Sequence, residues 1–119
     1  MAIMKHLFLV DVGIGILMIV LAVPLALQKI KPNMWYGFRT PRTLSDEGIW
    51  YAANQYAGKA LLIAGSVMVA GALVLYWVAG SAEYRAILSD PLVFILWLVV
   101  LSVPLAVCII ASFMYLRSL

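Results

Sequence analysis

Four basic residues that lie close together in the sequence have the chemistry to bind an anion. Lys29 and Lys31 precede Arg39 and Arg42, and a helix predicted to start near Ser45 adds free backbone N–H groups. Arginine makes bidentate contacts with phosphate or carboxylate. The pattern therefore favours anion recognition here. The alternative is that the basic side chains only set topology and attract anionic lipid, each contributing about 1 kcal/mol near a membrane surface.

A second candidate is the acidic residue Asp11, which interrupts the first long apolar stretch of the chain. An ionisable side chain inside a membrane span is a functional candidate by default. Asp11 is the only such residue well inside a span, so a proton-coupled transporter is one interpretation. The other is an interfacial or helix-capping carboxylate near the outer surface, with access to water.

The inventory of reactive residues does not indicate catalysis. The single histidine, His6, lies in the N-terminal tail, and the single cysteine, Cys108, lies in an apolar run without other ligands nearby in the sequence. The sequence has no Gly-rich phosphate loop and no serine beside a credible base. We therefore expect no enzyme activity, no metal site and no cofactor.

The composition identifies the kind of element that carries these side chains. Of the 119 residues, 66% are hydrophobic and 11% are charged, whereas soluble domains are about 45–50% apolar and about 25% charged. A chain this short cannot bury so much apolar surface in a water-soluble core. The composition excludes a soluble enzyme or a nucleic-acid-binding module and predicts an integral membrane protein.

Three uncharged or nearly uncharged stretches are long enough to cross a bilayer. They cover residues 7–27, 60–82 and 91–116, and each reaches the roughly 20 residues that span about 30 Å of hydrocarbon. Spans of this length must be helices, since the backbone has to satisfy its own hydrogen bonds in lipid. We predict a single all-α membrane domain over residues 1–119.

The distribution of charge predicts the orientation of these spans. The whole net charge of +3 lies within residues 28–59. Two basic residues, Lys5 and Arg85, lie on the other side of the predicted spans, whereas six lie on the side of the long loop and the C-terminus: Lys29, Lys31, Arg39, Arg42, Lys59 and Arg117. The positive-inside rule then predicts an N-out, C-in protein with the long loop on the cytoplasmic side.

The segment from residue 31 to residue 59 is predicted to be an ordered loop followed by a short helix that leads into the second span. Pro32 and Pro41 restrict the loop. Thr43 or Ser45 can cap the helix, and Thr43 and Asp46 have the spacing of a capping box. We expect this loop to fold onto the cytoplasmic end of the helices.

Small residues recur every seven positions in the second span, at Gly58, Gly65, Ala72 and Ala79. Membrane helices pack closely along such stripes. We expect an intramolecular packing seam rather than a dimer interface, because a three-helix protein must first pack its own spans.

The segment 31–59 resembles the signature of the SdpI family of bacterial membrane proteins. The shared pattern is Gly-Phe-Arg-Thr-Pro at residues 37–41, followed by Trp50, Asn54 and Gly58 at helical spacing. The three-span layout is similar to the core domain of that family. The family is named for immunity against a sporulation-delaying toxic peptide. For one member of the family the resemblance also implies a second role, which is signal transduction by holding a transcriptional repressor at the membrane.

The sequence thus predicts a membrane protein that protects against, or senses, an antimicrobial peptide or envelope stress. The candidate partners are the lipid bilayer, a toxic peptide, a cytoplasmic repressor and anionic lipid headgroups. An oligomer is compatible with the sequence, and a small oligomeric transporter or channel and a headgroup-binding protein are the alternative functions. Besides Asp11, the candidate binding residues are Asn33, Gly37, Arg39, Thr40, Pro41, Arg42, Ser45, Trp50, Asn54 and Gly58.

Overall fold

Three long helices and one short helix make up the fold. The computed structural model describes residues 4–84 and 87–119, so Arg85, which the charge analysis placed in the short connection, lies outside the described residues. After a 3-10 turn at Met4–His6, the helices are α1 (Leu7–Ala26), α2 (Pro41–Ser45), α3 (Glu47–Gly80) and α4 (Asp90–Ser118). The described part of the chain is helical as predicted.

Helices α1, α3 and α4 are each long and apolar enough to cross a membrane, and much of their apolar surface is exposed. This exposure is expected where lipid replaces water as the solvent. Helix α3 has 34 residues, which corresponds to about 51 Å of helix. Because about 30 Å suffices to cross the hydrocarbon, α3 extends beyond it. The protein is therefore an all-α membrane protein.

Helix α1 packs antiparallel to α3 along a regular seam. The buried residues of α1 alternate in spacings of three and four: Phe8, Asp11, Gly15, Met18, Ala22 and Leu25. This heptad-like spacing keeps one face of a helix against its neighbour. One acidic residue, Asp11, therefore occupies a position that belongs to the packing seam.

The stripe of small residues on α3 meets this seam. Gly58, Gly65 and Ala72 are buried. A Cβ atom built on Gly65 would lie only 2.8 Å from the Gly15 carbonyl oxygen of α1, so the two backbones touch at this crossing. The prediction of an intramolecular packing seam is confirmed.

The start of the helical segment differs from the prediction. Helix α2 begins one turn earlier than expected, because Thr40 caps it and Pro41 suits its first position. The Thr40 hydroxyl accepts from the Thr43 N–H at 3.1 Å, and the Thr43 hydroxyl accepts from the Thr40 N–H at 2.7 Å. Asp46 is extended and caps α3 by accepting from the Ile49 N–H at 3.1 Å. The predicted caps at Thr43 and Ser45 and the predicted Thr43–Asp46 capping box were wrong.

Candidate functional site: the loop over the end of the helices

The connection between α1 and α3, residues 27–46 including α2, is called here the motif loop. The Asn54 side chain on α3 holds it in place. Its Oδ1 accepts from the Phe38 N–H at 2.6 Å, and its Nδ2 donates to the Phe38 and Trp50 carbonyl oxygens at 3.2 and 3.0 Å. Asn54 is buried, so one amide group satisfies both backbone groups of Phe38. This pairing fixes the loop against the helix.

The contact between Asn54 and the Phe38 backbone requires a glycine at position 37. Its φ is +116°, a conformation that residues with a Cβ rarely adopt. A Cβ at this position would also lie 2.7 Å from Asn54 Oδ1 and 3.2 Å from the Trp50 ring. Gly37 therefore allows the loop backbone to approach α3 closely enough for Asn54 to bind it.

Trp50 and Asn33 order the first half of the motif loop. The Trp50 ring is fully buried, and its Nε1 donates to the Ile30 carbonyl oxygen at 2.9 Å. Asn33 Oδ1 accepts from the backbone N–H groups of Trp35 and Tyr36 at 2.8 and 2.7 Å, which is an Asx-type turn. Both side chains thus satisfy backbone groups of a segment that lacks regular structure.

Gly58 marks the point where α1 ends beside α3. A Cβ built on Gly58 would lie 2.5 Å from the Ala26 nitrogen and 2.9 Å from the Leu25 carbonyl carbon. Backbone atoms cannot move aside as a flexible side chain can. A glycine is needed here for α1 to pass α3 and for the motif loop to begin in its observed position.

Aromatic side chains join the motif loop to the end of the helices. The Phe38 ring packs edge-on against Phe113 of α4, with centroids 5.0 Å apart. The Tyr36 hydroxyl donates to the Leu21 carbonyl oxygen of α1. Partial burial raises the pKa of Tyr36, which keeps the hydroxyl protonated as this donor. Tyr56 on α3 also stacks on Tyr115 of α4, at 4.3 Å.

The outer surface of the motif loop is basic and aromatic. Trp35 is 89% exposed, and Arg39 and Arg42 are exposed as well. One Arg39 guanidinium N–H group donates to the Met34 carbonyl oxygen. The guanidinium fork stays at the surface, where it can meet an anionic group.

The structure thus divides the candidate binding residues into two sets. One set, in which only Pro41 is exposed, holds the loop or starts its short helix: Asn33, Gly37, Thr40, Pro41, Trp50, Asn54 and Gly58. The other set is exposed: Arg39, Arg42 and Ser45. The Ser45 hydroxyl donates to the Arg42 carbonyl oxygen at 2.7 Å. The second set offers exposed polar side chains that can reach a partner directly.

Comparison with known proteins places this loop in a family. The model of the SdpI/YfhL protein family matches residues 29–114. The chain belongs to the SdpI/YfhL family. The resemblance found in residues 31–59 is therefore confirmed, and the match extends through α3 and most of α4.

Two curated relatives of this SdpI/YfhL chain come from Bacillus subtilis (strain 168). The protein named Immunity protein SdpI is 28% identical over 111 residues, which is 93% of this chain and 46% of that protein. The protein named Uncharacterized protein YfhL is 37% identical over 43 residues, 36% of this chain and 39% of that protein. The chain thus spans less than half the length of each relative. No solved structure matches it significantly.

Sequence reasoning missed several residues that position the loop of this SdpI/YfhL family member. The contact between Phe38 and Phe113 joins residues 75 positions apart, and no local pattern indicates it. The Tyr36 hydroxyl also has a partner on another element. The burial of Asp11 could have been inferred from the sequence, since its spacing to Phe8 and Gly15 follows the packing seam of α1.

Asp11 lies in the interior of the SdpI/YfhL fold, and the expectation that its carboxylate has access to water was wrong. It is fully buried, and neither carboxyl oxygen has a hydrogen-bond partner among the described residues. The Trp97 indole N–H of α4, also buried without a partner, lies close enough to interact with it. Transport through Asp11 would require a second conformation that admits water.

Replacing this buried carboxyl should stabilise the SdpI/YfhL fold. We expect Asp11→Leu to raise the free energy of unfolding by about 1–4 kcal/mol, because a buried ionisable group without full pairing costs more than an apolar side chain of similar size. Thermal unfolding in one detergent, followed by circular dichroism, measures the change. The exposed acid Glu83 supplies the control Glu83→Gln, which should leave stability unchanged. A lower unfolding temperature for Asp11→Leu would contradict the prediction.

Proposed function

We propose that this SdpI/YfhL family member is an immunity-type membrane protein that protects a bacterial cell against a membrane-active antimicrobial peptide or senses such a peptide or envelope stress. The observation that carries the proposal is the match to Immunity protein SdpI over 93% of this chain. Because the match covers only 46% of that protein, an immunity activity of this chain is a proposal. The ordered motif loop supplies a surface on which recognition can take place.

The protein acts, in this proposal, in the inner membrane with its N-terminus outside and its C-terminus inside. The support is the excess of basic residues on the side of the motif loop and the C-terminus. With this orientation the motif loop lies at the cytoplasmic headgroups. A cytoplasmic repressor could then bind the loop.

Arg39 and Arg42 are the proposed recognition residues of the motif loop. Both are exposed on a loop that Asn54 and Trp50 hold rigid. A positioned guanidinium binds a carboxylate of a peptide or partner protein by two parallel hydrogen bonds. The anchor at the Met34 carbonyl lowers the side-chain entropy that Arg39 loses on binding.

Toxin challenge tests the proposal. Sensitive cells that express the full chain should survive the sporulation-delaying toxic peptide that gives the family its name. Arg39→Ala at matched protein levels should reduce tolerance by about ten-fold or more, since a hydrogen bond to a charged group contributes about 1.5–3 kcal/mol. Arg39→Lys, which keeps the charge and loses the planar fork, should restore only part of the tolerance.

The control variant is Lys31→Ala, which removes an exposed positive charge from the same loop. It should keep wild-type tolerance, because the proposal gives recognition to Arg39 and Arg42 and leaves Lys31 the alternative role of setting topology. Equal survival of cells with wild-type protein and with empty vector would overturn the immunity function. Full tolerance of Arg39→Ala would leave immunity standing and remove Arg39 from the recognition surface.

A further inference from the structure

An apolar groove opens beneath the motif loop. Its volume is about 250 Å³, and side chains from every long helix and from the loop line it, among them Leu25, Phe38, Ala57, Leu61, Ile109 and Phe113. The hydroxyl groups of Ser112 and Tyr36 in its wall already donate within the protein, Ser112 to the Cys108 carbonyl oxygen at 2.7 Å and Tyr36 to the Leu21 carbonyl oxygen. The groove therefore offers apolar contacts along its length.

The groove faces the surrounding lipid. Ile109 and Phe113 are 49% and 48% exposed on its α4 side, and both lie on a helix long enough to span the membrane. An unfilled space of this kind loses dispersion contacts on one side of every lining group. A chain from the bilayer can enter it laterally.

The charged residues that adjoin the lining of the groove in the sequence are basic. Arg39 follows Phe38 directly, Lys29 lies four residues after Leu25, and Arg117 lies one helical turn after Phe113 on the same face of α4. All three side chains are exposed. No acidic residue lies within one helical turn of a lining residue in the sequence. An apolar slot with a basic rim is complementary to an anionic amphiphile.

We propose that this groove binds one anionic phospholipid, with an acyl chain in the slot and the phosphate group at Arg39, Lys29 and Arg117. The volume holds part of one acyl chain, whereas a peptide helix is about 10–12 Å across and would have to displace the motif loop. The bound lipid fills the space under Tyr36 and Phe38 and so supports the loop. This inference does not depend on the immunity function.

Native mass spectrometry of the full chain tests the proposal. The protein is reconstituted in membranes with equal amounts of phosphatidylglycerol and phosphatidylcholine of identical acyl chains and is then released in mild detergent. Wild-type protein should retain one phosphatidylglycerol. Ile109→Trp fills the groove and should abolish retention. Ile110→Trp on the same helix, at a residue that is 60% exposed and outside the groove, should retain the lipid.

A charge variant separates headgroup recognition from chain binding. Arg117→Gln should reduce the preference for phosphatidylglycerol over phosphatidylcholine by about five-fold, which corresponds to about 1 kcal/mol for one cation near the surface. Equal retention of both lipids by wild-type protein would overturn the proposal, and so would equal loss by the two tryptophan variants. A dimer that Ile109→Trp disrupts would show instead that a second copy covers the groove.

Discussion

Gly58→Ala should lower the free energy of unfolding by about 3 kcal/mol, at the upper end of the usual cost of overpacking. The added methyl group would lie 2.5 Å from the Ala26 nitrogen and 2.9 Å from the Leu25 carbonyl carbon. Relief requires α1 to move away from α3, because the contacted atoms belong to the backbone. Thermal unfolding in a fixed detergent, followed by circular dichroism, measures the loss.

The same substitution elsewhere on α3 gives a matched control. A Cβ on Gly71 would meet only the Val100 side chain, at 4.0 Å, which is an ordinary van der Waals distance. Gly71→Ala should therefore keep or slightly raise the unfolding temperature, since alanine favours a helix over glycine. Equal unfolding temperatures of the two variants would show that the backbones of α1 and α3 can separate at Gly58 without cost.

Asn54→Leu should release the motif loop while the three long helices stay folded. The variant leaves the Phe38 N–H and carbonyl groups without their partner, and a buried unpaired group costs about 1–3 kcal/mol. A loss of about 3 kcal/mol would raise the open population of the loop about 100-fold. Limited trypsin digestion measures this population through the rate of cleavage after Arg39 and Arg42. When the loop closes faster than trypsin cuts, that rate is proportional to the open population.

Ser66→Ala controls for the loss of a polar group on the same helix. The Ser66 hydroxyl donates to the Leu62 carbonyl oxygen of its own helix at 2.8 Å and does not contact the motif loop. Trypsin should therefore cut this variant and the wild type at the same rate. If Asn54→Leu also matched the wild type, other contacts such as Trp50 to Ile30 would have to hold the loop.

The spans could be predicted from the sequence because their signal is local. Uncharged stretches of about 20 residues have few alternatives to a membrane helix, and α1, α3 and α4 follow them closely. The packing seam on α3 could be predicted for the same reason, since Gly58, Gly65 and Ala72 recur every seven residues within one helix. The start of α2 was misjudged by one turn because several hydroxyl residues near Pro41 could serve as a cap.

The geometry of the motif loop could not be predicted, because the contacts that form it are not local. Asn54 binds Phe38 over 16 positions, and Trp50 binds Ile30 over 20 positions. The sequence marked these residues as a motif but did not distinguish a ligand contact from a backbone support. For Asp11, the expectation of water access failed because its seam position buries it against α3 and α4.

The division of the motif loop into inward-facing and exposed side chains has a consequence for how such proteins diversify. Exchanging an outward side chain such as Arg39, Arg42 or Trp35 removes no contact on which the backbone of the loop depends, apart from the single bond to the Met34 carbonyl. Selection can therefore change these exposed side chains without altering the contacts that hold the backbone of the loop. For protein engineering, the loop is a rigid graft site at a membrane surface, with Gly37, Trp50 and Asn54 as the part to leave untouched.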